Sequence, residues 1–315
     1  VTEMRYRQLG DSGLTVSVVG VGCNAFGRRI DEAAATAVVH AALDHGVTLF
    51  DTSDTYGLGE SERMLGAALA AAGRRDDVVV ATKFGGDMQG RNGADWGVRG
   101  SRRYIRRAVE ASLRRLGTDW IDLYQLHFPD PVTPLEETLA ALDELVAEGK
   151  VRYVGSSNLD GWQVTEAAWI ARTEGLTPFV SAQNEYSLYD RSAEAELIPA
   201  AENAGVGILP YGPLAYGLLT GKYRRGQAVP AGSRLDTEAG AKRLAEADFD
   251  RIEALERFAA DRGVGILDVA IGGLAAQPAV GSVIAGAVSA EQVAANVAAG
   301  AWDPAADDLA VLDDL

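Results

Sequence analysis

The sequence predicts an α/β protein of the (β/α)8 TIM-barrel class, with an N-terminal β-hairpin and extra C-terminal helices. Two observations carry that reading. Short apolar runs alternate with amphipathic helical stretches, and such runs form a parallel sheet covered by helices. Eight strand–helix units can be counted, the number that closes a barrel. Barrels of this kind often span 315 residues as one unit, so 1–315 is expected to be a single domain. An apolar fraction of 47% is ample for its core.

Residues 5–9 and 14–16, joined by Asp11-Ser12-Gly13, read as a hairpin that plugs the barrel floor. Residues 17–22 are the first barrel strand, an apolar run ending in Gly22. Asp31 caps a helix to about residue 45, with Ala34, Val38, Ala41 and Ala42 on one face. Strand 48–51 and helix 61–72 follow. Gly73 stops that helix, because glycine reaches the left-handed conformation of a helix end. The pattern continues through strand 78–83, helix 101–116, strand 123–127, helix 134–148, strand 151–156 and helix 161–174. Strand 179–183, helix 193–203 and strand 207–210 come next. Residues 214–248 read as one long polar connection, and such a length inside a compact fold is usually functional. Helices 249–262 and 266–276, strand 282–284, helix 290–299 and a short helix from 305 complete the chain.

Acids outnumber bases 45 to 29, for a net charge of −16. That balance argues against nucleic acid as a partner, since phosphate binding needs a basic surface. A polyanionic ligand would need a local group of bases. Cys23 is the single cysteine, which excludes an internal disulfide and fits a reducing compartment. Residues 1–10 are too polar for a secretion signal, and no apolar run of about 18 residues exists. No membrane partner is therefore expected, and the cytoplasm is the expected location.

Chemistry concentrates at the strand ends. Asp51, Lys83 and His127 each close an apolar run, and Tyr56 follows Asp51 by five residues. In a parallel barrel those ends meet on one face. A free phenol has a pKa near 10, and a neighbouring ammonium favours the phenolate and lowers that value. Asp51 would hold Lys83 charged and oriented, while His127 can hydrogen-bond the same carbonyl oxygen. Such a group can move a proton onto a carbonyl.

The stretches Phe50-Asp51-Thr52-Ser53-Asp54-Thr55-Tyr56-Gly57, Ala81-Thr82-Lys83, Asp122-Leu123-Tyr124-Gln125-Leu126-His127 and Gly149-Lys150-Val151-Arg152-Tyr153-Val154-Gly155-Ser156-Ser157-Asn158 make the chain resemble the aldo-keto reductases over nearly its whole length. The resemblance implies NAD(P)H-dependent reduction of aldehyde, ketone or sugar carbonyls, or oxidation of the matching alcohols. Tyr56 would be the general acid, assisted by Lys83 and Asp51, with His127 orienting the carbonyl. Ser157, Asn158 and Gln183 would hold the nicotinamide carboxamide and Tyr211 would stack on its ring. The stretch from Tyr211 through Gly212, Pro213, Leu214, Gly217 and Leu218 to Lys222 matches the pyrophosphate loop, with Lys222 and Arg234 as its cations. Gly286, Ser289, Gln292 and Asn296 would meet the adenosine end. The resemblance favours NADP(H), but Val288 stands where a polar or basic residue often meets a ribose 2′-phosphate, which weakens that preference, so NAD(H) is also expected to serve. Some proteins resembling this family act as cofactor-binding accessory subunits of channels, which is the alternative reading.

The sequence Gly20-Val21-Gly22-Cys23-Asn24-Ala25 also satisfies the G-x-G-x-x-A dinucleotide fingerprint. That fingerprint requires a helix opening within the motif, and here five residues intervene before the Asp31 cap. Gly22 is instead read as close packing at the first strand's mouth, beside the cofactor. The histidines are His40, His45 and His127, two of them on one helix, which argues against a catalytic zinc site; no metal is expected. No G-x-S-x-G elbow is present. Phe26, Phe84, Trp96 and Tyr216 follow strand ends and are expected to wall a substrate pocket with Tyr56 and His127. The glycine-rich loop 85–100 is expected to form a flap over it.

Overall fold

The computed structural model describes residues 4–315. Its sheet comprises β3 (Val19–Gly22), β4 (Leu49–Asp51), β5 (Val79–Phe84), β6 (Ile121–Leu126), β7 (Val151–Ser157), β8 (Phe179–Gln183), β9 (Gly207–Ile208) and β10 (Val283–Gly286). All pair in parallel, in the order β10-β3-β4-β5-β6-β7-β8-β9. The ring closes between its outer strands: Gly281 N donates to Ile208 O at 2.8 Å and Ile284 N to Pro210 O at 3.1 Å. The expected barrel is thus present, with every strand pointing the same way.

The hairpin of β1 (Tyr6–Gln8) and β2 (Thr15–Ser17) is antiparallel. Leu9, Leu14 and Val16 from it pack against the inward-facing Leu49, Leu123 and Ile284, so the hairpin plugs the barrel floor as expected. Chemistry is left to the opposite, C-terminal end.

Helices α1 (Glu32–Asp44), α2 (Glu60–Ala72), α3 (Arg102–Leu116), α4 (Leu135–Ala147), α5 (Gly161–Glu174) and α6 (Leu197–Ala204) alternate with the strands. Val38, Leu65, Ile105, Leu139 and Ala201 on them are fully buried in the larger core between helices and barrel. Their ends follow local rules. Asp31 accepts from Ala34 N at 3.0 Å, and Ser101 accepts from Tyr104 N. Each such cap contributes roughly 1 kcal/mol. Gly155 in β7 sits where a Cβ would lie 2.1 Å from Ser181 Oγ, at a register shift against β8. That close approach brings the end of β7 beside Gln183.

Two stretches depart from expectation. The connection after β9 contains α7 (Glu238–Ala245), where Thr237 accepts from Gly240 N at 3.0 Å. The helix is mostly exposed and carries no broad apolar stripe, so periodicity missed it. After α8 (Phe249–Asp261), the expected helix 266–276 opens as α9 (Ile266–Asp268) and widens into a π-turn over Val269–Gly273. There a Cβ on Gly272 would lie 2.6 Å from Trp302 O. The chain ends with α10 (Ala290–Ala299) and α11 (Ala306–Asp313). No helix among the described residues is long and apolar enough to cross a membrane.

Candidate active site

Parallel pairing sets the strand ends level. Asp51 on β4 pairs with Gly22 on one side and Ala81 on the other, and Lys83 on β5 pairs with Gln125. His127 follows β6, and Ser157 pairs with Gln183 at the ends of β7 and β8. Tyr56 opens a tight turn in which Gly57 and Leu58 take positive φ (59° and 54°) before α2 begins.

The side chains converge. Lys83 Nζ donates to Asp51 Oδ1 at 2.7 Å, to Oδ2 at 2.8 Å and to Thr52 O at 2.8 Å. It also reaches Tyr56 OH at 3.4 Å. Both members of the ion pair are buried, and such a pair holds only when its remaining valences are met. Gln183 Nε2 meets one of them by donating to Asp51 Oδ1 at 2.8 Å. The His127 ring stands edge-on to Tyr56, with centroids 5.9 Å apart, and stacks on Phe128. Its Nδ1 lies 3.0 Å from Ser53 Oγ.

Burial dominates the electrostatics. It would lower the Lys83 pKa, but Asp51 and then Tyr56 outweigh it, so the ammonium lies above its ordinary value. Burial also raises the Tyr56 phenol, and Lys83 offsets only part of the rise. The expected net lowering of that pKa is therefore corrected: the ammonium acts in the expected direction, but desolvation of the phenolate is larger. Tyr56 therefore stays protonated at neutral pH. Burial, then the Lys83 charge, push His127 down to about 2, which keeps the imidazole neutral. Cys23 is buried beside this group, and burial, then Asp51, raise its thiol well above the ordinary range.

A rim of polar groups continues from this tetrad of Asp51, Tyr56, Lys83 and His127. Asn158, in a left-handed conformation (φ 58°), donates to His127 O at 2.9 Å and to Ser157 Oγ at 3.1 Å. Its Oδ1 accepts from Tyr211 OH at 2.8 Å. Beyond Tyr211 the backbone is strained, with Ala215 (φ 46°) and Tyr216 (φ 60°) both left-handed. Such strain in non-glycine residues concentrates at ligand-binding turns. Arg234 and Arg243 both lie over the Tyr216 ring, at 5.1 Å and 3.6 Å from its centroid.

A family model described as the Aldo/keto reductase family matches residues 18–315. The chain belongs to the aldo/keto reductase family. Among its relatives is a probable voltage-gated potassium channel subunit beta of Oryza sativa subsp. japonica, 37% identical over 94% of this chain and 91% of that one. An uncharacterized oxidoreductase of Bacillus subtilis (strain 168) is 37% identical over 92% and 89%. Versiconal hemiacetal acetate reductase of Aspergillus parasiticus is 36% identical over 85% and 84%. Membership makes this aldo/keto reductase an oxidoreductase of carbonyls with a nicotinamide cofactor.

Of its expected pocket aromatics, Phe26 and Phe84 are fully buried in the outer core, Phe84 against Tyr124. They offer a substrate no surface, so their place as pocket wall is corrected to core packing. Trp96 is 64% exposed and lies beneath the Arg103 guanidinium. Tyr216 lies with the Arg234 and Arg243 guanidiniums. Gly22 has a close neighbour in Ile284 Cγ2, 3.1 Å from where its Cβ would be. The residues of this reductase that sequence reasoning missed are the buried Ser53, Asp54, Glu62 and Asn92 and the half-buried Arg115, which form a polar group behind the tetrad. Their partners are far apart in sequence, and only the Ser53-Asp54 pair, inside the quoted motif, offered a local signal.

Proposed function

We propose that the chain reduces aldehyde, ketone or sugar carbonyls with NADPH, and runs the reverse oxidation of alcohols, with Tyr56 as general acid. The observation that carries this is the reach of Lys83 Nζ, which bonds both Asp51 oxygens and lies 3.4 Å from Tyr56 OH. A bound reduced nicotinamide supplies the hydride. Tyr56 gives its proton to the carbonyl oxygen, and the Lys83 charge stabilises the phenolate left behind. Neutral His127 orients that oxygen by hydrogen bonding. Asp51, itself held by Gln183, keeps the ammonium aimed at the phenol.

The donor set suits a nicotinamide dinucleotide. Asn158 and Gln183 carry side-chain amides, Ser157 Oγ accepts from Asn158 Nδ2 at 3.1 Å and donates to the Gln183 backbone oxygen at 2.8 Å, and Tyr211 offers a flat ring fixed by its bond to Asn158. Gly212 (φ 69°), Pro213, Leu214, Gly217 (φ 107°) and Leu218 form the turn for the pyrophosphate. Lys222 and Arg234 have no carboxylate within salt-bridge range among the described residues, so they are free to meet phosphates. Gly286 is open, since a Cβ there meets only Asn24 Oδ1 at 3.8 Å. Ser289 caps α10, Gln292 Oε1 accepts from Val288 N, and Asn296 Nδ2 donates to Gly286 O, giving the adenosine end its polar groups. The test is loss of the reduced cofactor's absorbance with a panel of carbonyls, using NADPH and NADH in turn.

The similarity to a probable channel subunit supports a second reading, an accessory subunit that binds cofactor with little turnover. Tight cofactor binding with no turnover across the panel would favour it.

A further inference from the structure

Ser53 Oγ has four polar neighbours and one hydrogen to give. Thr55 N donates to it at 3.2 Å, and Thr55 Oγ1 lies 2.9 Å away. His127 Nδ1 is at 3.0 Å and Asp54 Oδ1 at 3.3 Å. Thr55 can fill both lone pairs of the serine oxygen, which leaves its hydrogen to His127 or to Asp54. Nε2 of His127 has no protein partner among the described residues and is the nitrogen available to a substrate.

We propose that Ser53 is a positioning residue for His127: its hydroxyl donates to Nδ1, which places the imidazole's single proton on Nε2, and a neutral Asp54 keeps that hydrogen from being drawn away. The proposal rests on the carbonyl-orienting part given to His127 above. A neutral imidazole helps a carbonyl only if the nitrogen facing it carries the proton; the other tautomer presents a lone pair to the carbonyl oxygen. An ionised Asp54 would compete for the Ser53 hydrogen, because a bond to an anion is about twice as strong as a neutral one. Nδ1 would then have to carry the proton itself to bond Ser53, with the Thr55 hydroxyl turning its hydrogen away to free a lone pair for it.

The surroundings of Asp54 favour its neutral form. It is fully buried, and Asn92 Nδ2 donates to its Oδ2 at 3.1 Å. Glu62 faces it from α2, Arg115 and Tyr104 from α3, and Tyr124 from β6. Arg115 is engaged by Glu62 at 2.6 Å and by Asn92 at 3.1 Å, so its charge is shared. Burial, then Glu62, raise the Asp54 carboxyl to about 8. The serine relay is therefore set at neutral pH and lost as Asp54 ionises in mild alkali.

Long-range 1H–15N NMR of histidine-labelled protein reads the tautomer directly, and with three histidines the His127 signal is assigned through one His127→Gln variant. At pH 7 the native ring should carry its proton on Nε2, and raising the pH through about 8 should shift it toward Nδ1. Asp54→Asn, whose amide can donate to Ser53 while its oxygen accepts from Asn92, should keep Nε2–H throughout. Ser53→Ala should mix the tautomers and lower kcat about tenfold, the effect of one lost hydrogen bond, with cofactor KM unchanged. A native ring protonated on Nδ1 at pH 7 overturns the proposal, whatever the turnover. A tautomer constant from pH 6 to 10 overturns the part given to Asp54. The expected tautomer in a protein without reductase activity supports Ser53 and counts only against the function on which it rests.

Discussion

The Lys83 ammonium lies 2.7 and 2.8 Å from the two carboxylate oxygens of Asp51, with both side chains buried at the C-terminal end of the barrel. The pair fixes a charge whose third contact, Thr52 O, leaves it pointing at Tyr56. Its burial makes stability and activity separable by mutation.

Lys83→Met leaves the Asp51 carboxylate buried with Gln183 as its remaining side-chain donor. Breaking a buried pair this way should cost about 3–5 kcal/mol of stability. It should also raise the Tyr56 pKa further, since the one group lowering it by charge is gone. The double variant Lys83→Met with Asp51→Leu should regain much of the stability and none of the activity. Urea unfolding beside turnover measures both. A double variant as unstable as Lys83→Met alone would contradict the uncompensated-charge account.

Asp54 titrates at about 8 in the folded protein, against an ordinary 3.8. The unfolded chain thus releases this proton near pH 4 and the folded one only near 8. Folding stability from this group is highest below pH 4, falls as pH rises, and levels off above 8. Asp54→Asn should therefore stabilise the protein at pH 8 by an amount on the order of a few kcal/mol, and hardly at all at pH 4. Equal effects at both pH values would show that Asp54 is ionised in the fold.

His127 has the opposite slope. Its folded value, about 2, lies below the ordinary 6.5, so the unfolded chain binds the proton first as pH falls. The native state should lose about 1.4 kcal/mol per pH unit below 6.5 from this residue, a loss that His127→Gln removes. The pH–rate profile should show no imidazole ionisation between 5 and 7. NMR titration of His127 in that range would contradict its neutral burial.

We propose that cofactor choice turns on Val288, whose side chain would offer a 2′-phosphate neither charge nor hydrogen bond. We expect NADPH to bind about 10-fold tighter than NADH, or roughly 1.4 kcal/mol. Val288→Arg should widen the gap through a charge-assisted contact. Dissociation constants for both cofactors check this, and an unchanged ratio would place the 2′-phosphate elsewhere.

Much of this architecture is legible from sequence because its causes are local. Asp31, Ser101, Gly73 and Gly117 mark helix ends through bonds within a turn or through glycine's left-handed conformation. The tetrad is legible because a barrel carries strand ends 32 and 44 residues apart to one place, as it does Asp51, Lys83 and His127. The network behind it is not local. Arg115 meets Glu62 across 53 residues and Asn92 meets Asp54 across 38, so no spacing announced them. The direction of the Tyr56 shift was missed for a related reason: a neighbouring charge shows in a motif, whereas the depth of burial depends on the whole fold. Phe26 follows β3 and Phe84 is the last residue of β5, yet both turn outward into the core.

The most direct test of Tyr56 as proton donor is the Tyr56→Phe variant, studied in single turnover with its cofactor dissociation constant measured alongside. Carbonyl reduction should fall by at least about 10², the share of general-acid catalysis, while cofactor affinity stays near that of the native protein. Near-native turnover by this variant would contradict the mechanism.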